Sequence, residues 1–230
     1  RAEDRNGRVV NVLVVAAHPD DEVLGAGASI ARHTRAGDSV TILILAAGLD
    51  SRGVVSADAH RALKAQAEKA AATLGARDLR FAGFPDNKMD TVPLLDVVKE
   101  IERIAGAANP HTIYTHCARD LNIDHEVAAR AVATAFRPLP SSSVKRILAF
   151  DVPSATDWNP AAAPFAPTIF VDAAQTLEAK LAAIACYADE LRPFPHARSL
   201  DAIRARAVAW GTHVGLTAAE PFELLREIVP

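Results

Sequence analysis

The apolar run Val12–Ala17 stops at His18-Pro19-Asp20-Asp21-Glu22, and that junction constrains the fold more than any other part of the chain. Proline has no N–H to give to a sheet and drives the preceding residue toward extended geometry, so the strand ends at His18. The acids that follow suit the first turn of a helix, where the dipole favours negative charge. The sequence therefore predicts a strand, a tight turn, and a helix opening at about Asp21. His18 and Asp21 can then point at one metal ion, with Asp20 facing a substrate beside it. An Asp-Asp pair alone reads as a helix cap. A histidine in front and a buried strand behind turn the reading toward a metal site. Glu22 reads as support for the helix start.

The same alternation runs through the chain. Val9–Ala17 and Val40–Ala47 are near-continuous apolar segments, as expected for strands covered on both faces. Helical patterns occupy Asp21–Arg35, closed by Gly37, and Ala57–Leu74, closed by Gly75. Leu94–Ala105 and Asp124–Phe136 are further helices, and Leu79–Phe81, Thr112–Thr115 and Arg146–Val152 further strands. This order predicts an α/β, Rossmann-like fold: a mainly parallel sheet with helices on both faces. After Pro153, closely spaced prolines break the pattern. A strand at Thr168–Val171 and helices near Ala174–Tyr187 and Leu200–Gly211 follow. These read as packing on the same sheet and completing the cleft, so residues 1–230 are expected to form one domain.

Composition excludes several functions. A chain of 230 residues, half of them hydrophobic, with a formal charge of −3, gives no electrostatic reason to bind nucleic acid. No stretch approaches the roughly 18 apolar residues that span a bilayer. The charged start Arg1-Ala2-Glu3-Asp4-Arg5, which lacks an initiating Met, has no apolar core of a signal peptide. Two cysteines, Cys117 and Cys186, make no disulfide framework and suit a reducing, cytoplasmic setting. Cys117 reads as a small buried residue at a strand end. Homo-oligomerisation is left open.

A zinc site needs at least three protein ligands, and a catalytic one keeps a position open. The remaining ligand is sought in Thr115-His116-Cys117-Ala118-Arg119-Asp120-Leu121-Asn122-Ile123-Asp124-His125, which also follows a strand. In a parallel sheet it emerges at the carboxyl edge with His18, where ligands bind in open α/β folds. His125 opens a helix as Asp21 does, and His116 is its rival.

These two segments resemble the LmbE-like (PIG-L) family of zinc-dependent N-acetylglucosaminyl deacetylases. Gly83-Phe84-Pro85-Asp86-Asn87, Phe170-Val171-Asp172, Phe194-Pro195-His196-Ala197-Arg198-Ser199 and Ala219-Glu220-Pro221-Phe222 support the resemblance over most of the chain. It implies an LmbE-like three-layer sandwich with His18, Asp21 and His125 as zinc ligands and Asp20 as general base. The substrate class it implies is a small-molecule amino-sugar conjugate. Histidine and carboxylate ligands suit Zn2+ or Fe2+. Asp124 is expected to orient a ligand or acid through a hydrogen bond. The chain departs from the family at Asn122, where many members carry a histidine that assists the leaving amine or the oxyanion. Asn donates a hydrogen bond but shuttles no proton. His196 is therefore the candidate for the missing imidazole, and Asn122 and Arg52 are candidate substrate contacts.

Three other readings are weighed. Gly25-x-Gly27 after the first strand suggests a dinucleotide fingerprint, but the glycines come too far past the strand and Ile30 does not finish the pattern. A non-catalytic sugar-binding module is disfavoured by the intact set His18, Asp20, Asp21 and His125. Hydrolysis of a non-sugar or thiol-conjugate amide on the same metal site is the nearest alternative.

Overall fold

The computed structural model describes residues 9–46, 48, 56–140 and 142–229. The core is a seven-stranded sheet in the order β3-β2-β1-β4-β5-β7-β6. Its strands are β1 (Asn11–Ala16), β2 (Ser39–Ala46), β3 (Asp78–Phe84), β4 (Thr112–His116), β5 (Arg146–Phe150), β6 (Ile169–Asp172) and β7 (Ala219–Glu227). β1 pairs in parallel with both β2 and β4, so the chain reverses its winding direction between β1 and β4. That gap is the topological switch point, the crevice at which open α/β sheets bind ligands. His18 and His116 leave the sheet on its two sides.

Helices cover both faces, giving three layers. Val12 and Val14 face α1 (Asp21–Arg35), α2 (Ala57–Thr73), α5 (Leu177–Ile184) and α6 (Leu200–Thr212). Leu13 and Val15 face α3 (Leu94–Ala108) and α4 (Ile123–Ala135). The two-residue side-chain period of a strand makes both sets apolar, which is why β1 reads as an unbroken hydrophobic run. The predicted fold class is the observed one. The exception to the predicted elements is β7, which was not anticipated. It inserts antiparallel between β5 and β6, with Pro221 opposite Phe170 and Leu224 opposite Leu148. Pro221 and the charged residues Glu220, Glu223, Arg226 and Glu227 hide this strand from a search for apolar runs.

The glycines of α1 have a packing role. A Cβ on Gly25 would lie 2.2 Å from Cδ2 and 2.5 Å from Cγ of the Phe150 ring, so the helix can lie on β5 only with glycine there. Beside it, Lys180 Nζ donates to Leu24 C=O and to Glu220 Oε1, both at 2.7 Å. Glu220 accepts the N–H groups of Ala28 and Ser29 at 2.8 and 2.6 Å. Leu24 C=O and Ala28 N–H are an i, i+4 pair, so α5 and β7 grip α1 by its backbone. These contacts fix the helix whose first turn carries the site. Gly25→Ala is expected to destabilise the fold by about 2 kcal/mol or more through overpacking, to be read from the urea midpoint at unchanged m-value.

Candidate active site

The turn after β1 has an unusual backbone. Asp20 sits at φ 106°, ψ −31°, a region that residues with a Cβ rarely adopt. Its C=O accepts the N–H groups of Val23 and Leu24 at 3.0 and 2.9 Å, so it starts α1. Its side chain makes no capping bond. The simple cap reading of Asp20 and Asp21 therefore fails: the main chain starts the helix and both carboxylates are left for other partners. Asp21 turns back, and its Oδ2 accepts the His18 N–H at 2.9 Å.

The turn after β4 comes alongside. Asn122 caps α4, its Oδ1 accepting the Asp124 N–H at 2.9 Å. The first turn of α4 then delivers His125. His18 Nδ1 lies 3.3 Å from Asp21 Oδ2, His125 Nε2 lies 3.2 Å from the same oxygen, and the two nitrogens are 3.3 Å apart. Four-coordinate zinc with bonds of about 2.0 Å sets neighbouring ligand atoms about 3.3 Å apart. The three donors thus have the spacing of one face of a tetrahedral site. Asp21 Oδ1, buried, has no hydrogen-bond partner among the described residues. The donor set fits a divalent cation.

The imidazoles are aimed by further carboxylates. Asp124 Oδ2 lies 2.9 Å from His18 Nε2 and also accepts the Asn87 N–H, while its Oδ1 accepts the Met89 N–H at 2.9 Å. Asp120 Oδ2 lies 3.0 Å from His125 Nδ1 and accepts the Thr156 hydroxyl at 2.6 Å. Such partners fix which ring nitrogen faces a metal. A second grouping, His18 with Asp86 and Asp124, uses His18 Nε2 and so competes with the Asp124 hydrogen bond. The rival ligand His116 is placed differently. Its Nε2 accepts the Ala17 N–H at 2.8 Å and its ring stacks on His125 at 4.0 Å. Burial, then repulsion from His125, lowers its pKa to about 3. His116 is a neutral wall behind His125, with its lone pair spent on the main chain.

Asp20 lies beside the triangle, outside the donor set, and lines the same cavity as His18, Asp21, Asp86, Asn87, Asn122, His125, Glu190 and Arg198. Burial drives its pKa well above the usual carboxylate range, opposed by Arg198, whose Nη1 reaches Asp20 Oδ2 at 3.0 Å. Arg198 is the residue that sequence reasoning passed over in favour of its neighbour. His196 does not line the cavity: its Nδ1 accepts the Arg198 N–H at 3.0 Å and its ring meets Trp158 edge-on at 6.0 Å. The imidazole expected from His196 is thus absent from the cavity lining, and a guanidinium is present. Asn122 lines the cavity but is partly committed, its Nδ2 donating to Asn87 Oδ1 at 2.9 Å. Arg52 lies outside the described residues. Gly48, four positions before it in sequence, lines the cavity.

Residues 13–136 match the family model described as PIG-L, GlcNAc-PI de-N-acetylase. The chain belongs to the PIG-L family. Among curated relatives, it is 32% identical over 137 residues to a probable N-acetyl-alpha-D-glucosaminyl L-malate deacetylase 2 of Bacillus cereus. That match covers 56% of this chain and 62% of the relative's length. Among solved structures, N,N'-diacetylchitobiose deacetylase from Pyrococcus horikoshii superposes with a TM-score of 0.74 at 19% identity, covering 94% of this chain and 83% of that one. GalB, the 4-carboxy-2-hydroxymuconate hydratase from Pseudomonas putida KT2440, gives 0.76 at 22% identity, covering 95% and 97%. At such identities these likenesses show the fold. Proteins of this fold thus carry names for different reactions, so fold alone does not decide the reaction and the site must.

The donor triangle has a measurable consequence. Burial opposes charge on both ligand histidines, yet Asp124 and Asp21 raise His18 to about 10, and Asp21 and Asp120 raise His125 to about 9. The carboxylates around both rings thus favour protonation, and a cation has to compete with protons for these nitrogens. Zinc binding should release about one to two protons per ion, and its affinity should climb as pH rises through the neutral range. Calorimetry in buffers of different ionisation enthalpy reads both effects. Asp124→Asn should weaken zinc binding by about 10- to 100-fold.

Proposed function

We propose that this protein is a metal-dependent N-deacetylase that removes the acetyl group from an N-acetylglucosamine-containing small molecule. The observation that carries the reading is the triangle of His18, Asp21 and His125 with a buried carboxylate, Asp20, beside it and not part of it. Amide hydrolysis needs an activated water, a base for its proton, donors for the oxyanion and an acid for the departing amine. A divalent ion held by the triangle supplies Lewis-acid polarisation and a more acidic water. Zinc and ferrous iron both suit two imidazoles and a carboxylate.

The protein's own groups do the rest. Asp20 takes the proton from the attacking water, a role suited to a carboxylate beside the donor set whose pKa burial raises. As the water oxygen bonds to the acyl carbon, the carbonyl oxygen gains negative charge. Arg198 and the uncommitted hydrogen of Asn122 Nδ2 are the available donors for it. Asp20 then returns its proton to the nitrogen as the C–N bond breaks, leaving acetate and a free amine. In this scheme Arg198 takes the place of the histidine that many family members carry at the Asn122 position. Asp124 acts by holding His18.

The substrate reading rests on the family and on the lining. Asp86, Asn87 and Glu190 offer acceptors and a donor of the kind that sugar hydroxyls require. Arg52 is the proposed contact for a more distant hydroxyl or acidic group of the conjugate. The B. cereus relative, named for an N-acetylglucosaminyl malate, makes amino-sugar conjugates the first compounds to try.

Acetate release from a panel of N-acetylglucosamine conjugates tests the reading. Turnover that chelation abolishes and zinc restores is expected; no release from zinc-loaded protein on any conjugate would move the reaction to another amide. Asp20→Asn should keep its metal and lose about 100- to 10,000-fold in kcat, whereas Asp21→Ala should lose the metal too. Full activity in a zinc-loaded Asp20→Asn protein would remove Asp20 from the mechanism.

A further inference from the structure

We infer that Glu22 and Tyr187 are positioning residues for Asp20, forming a buried relay that holds the base's peptide in its left-handed conformation. The inference rests on the reading of Asp20 as the base, but the contacts stand independently of it. Glu22 is 1% exposed and Tyr187 0%. Glu22 Oε2 accepts the Asp20 N–H at 3.0 Å, and Glu22 Oε1 accepts the Tyr187 hydroxyl at 2.5 Å. The Asp20 N–H precedes α1, and the Asp21, Val23 and Leu24 N–H groups of its first turn go to the His18 and Asp20 carbonyls, so the bond from Asp20 N–H is more than a helix-start contact. The bond spans only two residues and closes back on the N–H of the one residue in the turn with φ near 106°. A non-glycine residue in such a region is strained and persists only where its surroundings over-determine it. Glu22 supplies one of those determinants at the backbone.

Tyr187 supplies the reference point. It is the largest fully buried side chain among the described residues and belongs to the core cluster that holds residues of α1 and α5. A rigid phenol with one hydroxyl on Glu22 Oε1 leaves the other oxygen a single orientation, toward Asp20 N–H. The same stretch of chain reaches Asp20 twice: at the backbone through Tyr187 and Glu22, and at the carboxylate through Arg198. Asp20 is thus held at both ends by residues far away in sequence, and neither hold uses a carboxylate oxygen that a metal ligand needs.

The relay is tested by kinetics of zinc-loaded Tyr187→Phe, alone and in the Asp20→Asn background. Alone, kcat per zinc-loaded enzyme should fall about tenfold or more, with KM within about twofold and zinc content unchanged. In the Asp20→Asn background the further loss should vanish, because the relay has only Asp20 to act through. Glu22→Gln can accept from Asp20 N–H and donate to Tyr187 Oη, and should stay within about threefold of wild-type kcat. Glu22→Ala, which breaks the relay without touching the phenol, should match Tyr187→Phe and serves if that variant fails to fold. A Tyr187→Phe loss equal in both backgrounds, or a Glu22→Ala protein with wild-type kcat, would overturn the inference. Failure of the base reading would show separately, as activity retained by Asp20→Asn alone.

Discussion

The organisation of this protein turns on one carboxylate oxygen. Asp21 Oδ2 accepts the main-chain N–H of His18 and stands 3.2–3.3 Å from a nitrogen of each of two imidazoles. Burial alone would raise the Asp21 pKa, but the three surrounding histidines, His125 foremost, pull it well below the usual range. An anion so enclosed needs positive charge beside it, and protons or a divalent cation supply it. The geometry favours a cation, since the three donors have a tetrahedral face's spacing.

The scaffold meets this demand with backbone contacts. β1 and β4 are neighbours at the switch point, so their following turns deliver His18 and His125 to one place. Asp124 and Asp120 each fix one imidazole while being fixed by N–H or hydroxyl donors from elsewhere. Lys180 and Glu220 hold α1 by its carbonyl and N–H groups, and Gly25 lets it settle on Phe150. These buried polar groups are paired, the condition under which such groups stiffen a site without destabilising it.

The sequence carried the fold and the clustering of His18, Asp21 and His125 because both are encoded locally. Unbroken apolar strands, glycine stops and a His-Pro junction each have a short-range physical cause. His18, Asp21 and His125 were legible for the same reason, as each sits at the junction of a strand and the next helix. What was not legible depends on distant pairings. Glu22 looked like a helix-start acid because its partner Tyr187 lies 165 positions away. In the segment Pro195–Ser199 it is Arg198 and not His196 that lines the cavity, and which side chain the loop turns inward is not written in residue type. β7 went unseen because Pro221 and its charged neighbours do not look like a strand until β5 and β6 are in place beside them.

X-ray absorption at the zinc edge of the loaded protein tests the central claim most directly. The account predicts a four-coordinate ion with two imidazole nitrogens, one carboxylate oxygen and one further light atom, all at about 2.0–2.1 Å, and no sulfur. A third imidazole would bring His116 into the coordination sphere, and a sulfur at about 2.3 Å would bring in Cys117. Either result would contradict the open three-donor site on which the proposed chemistry depends.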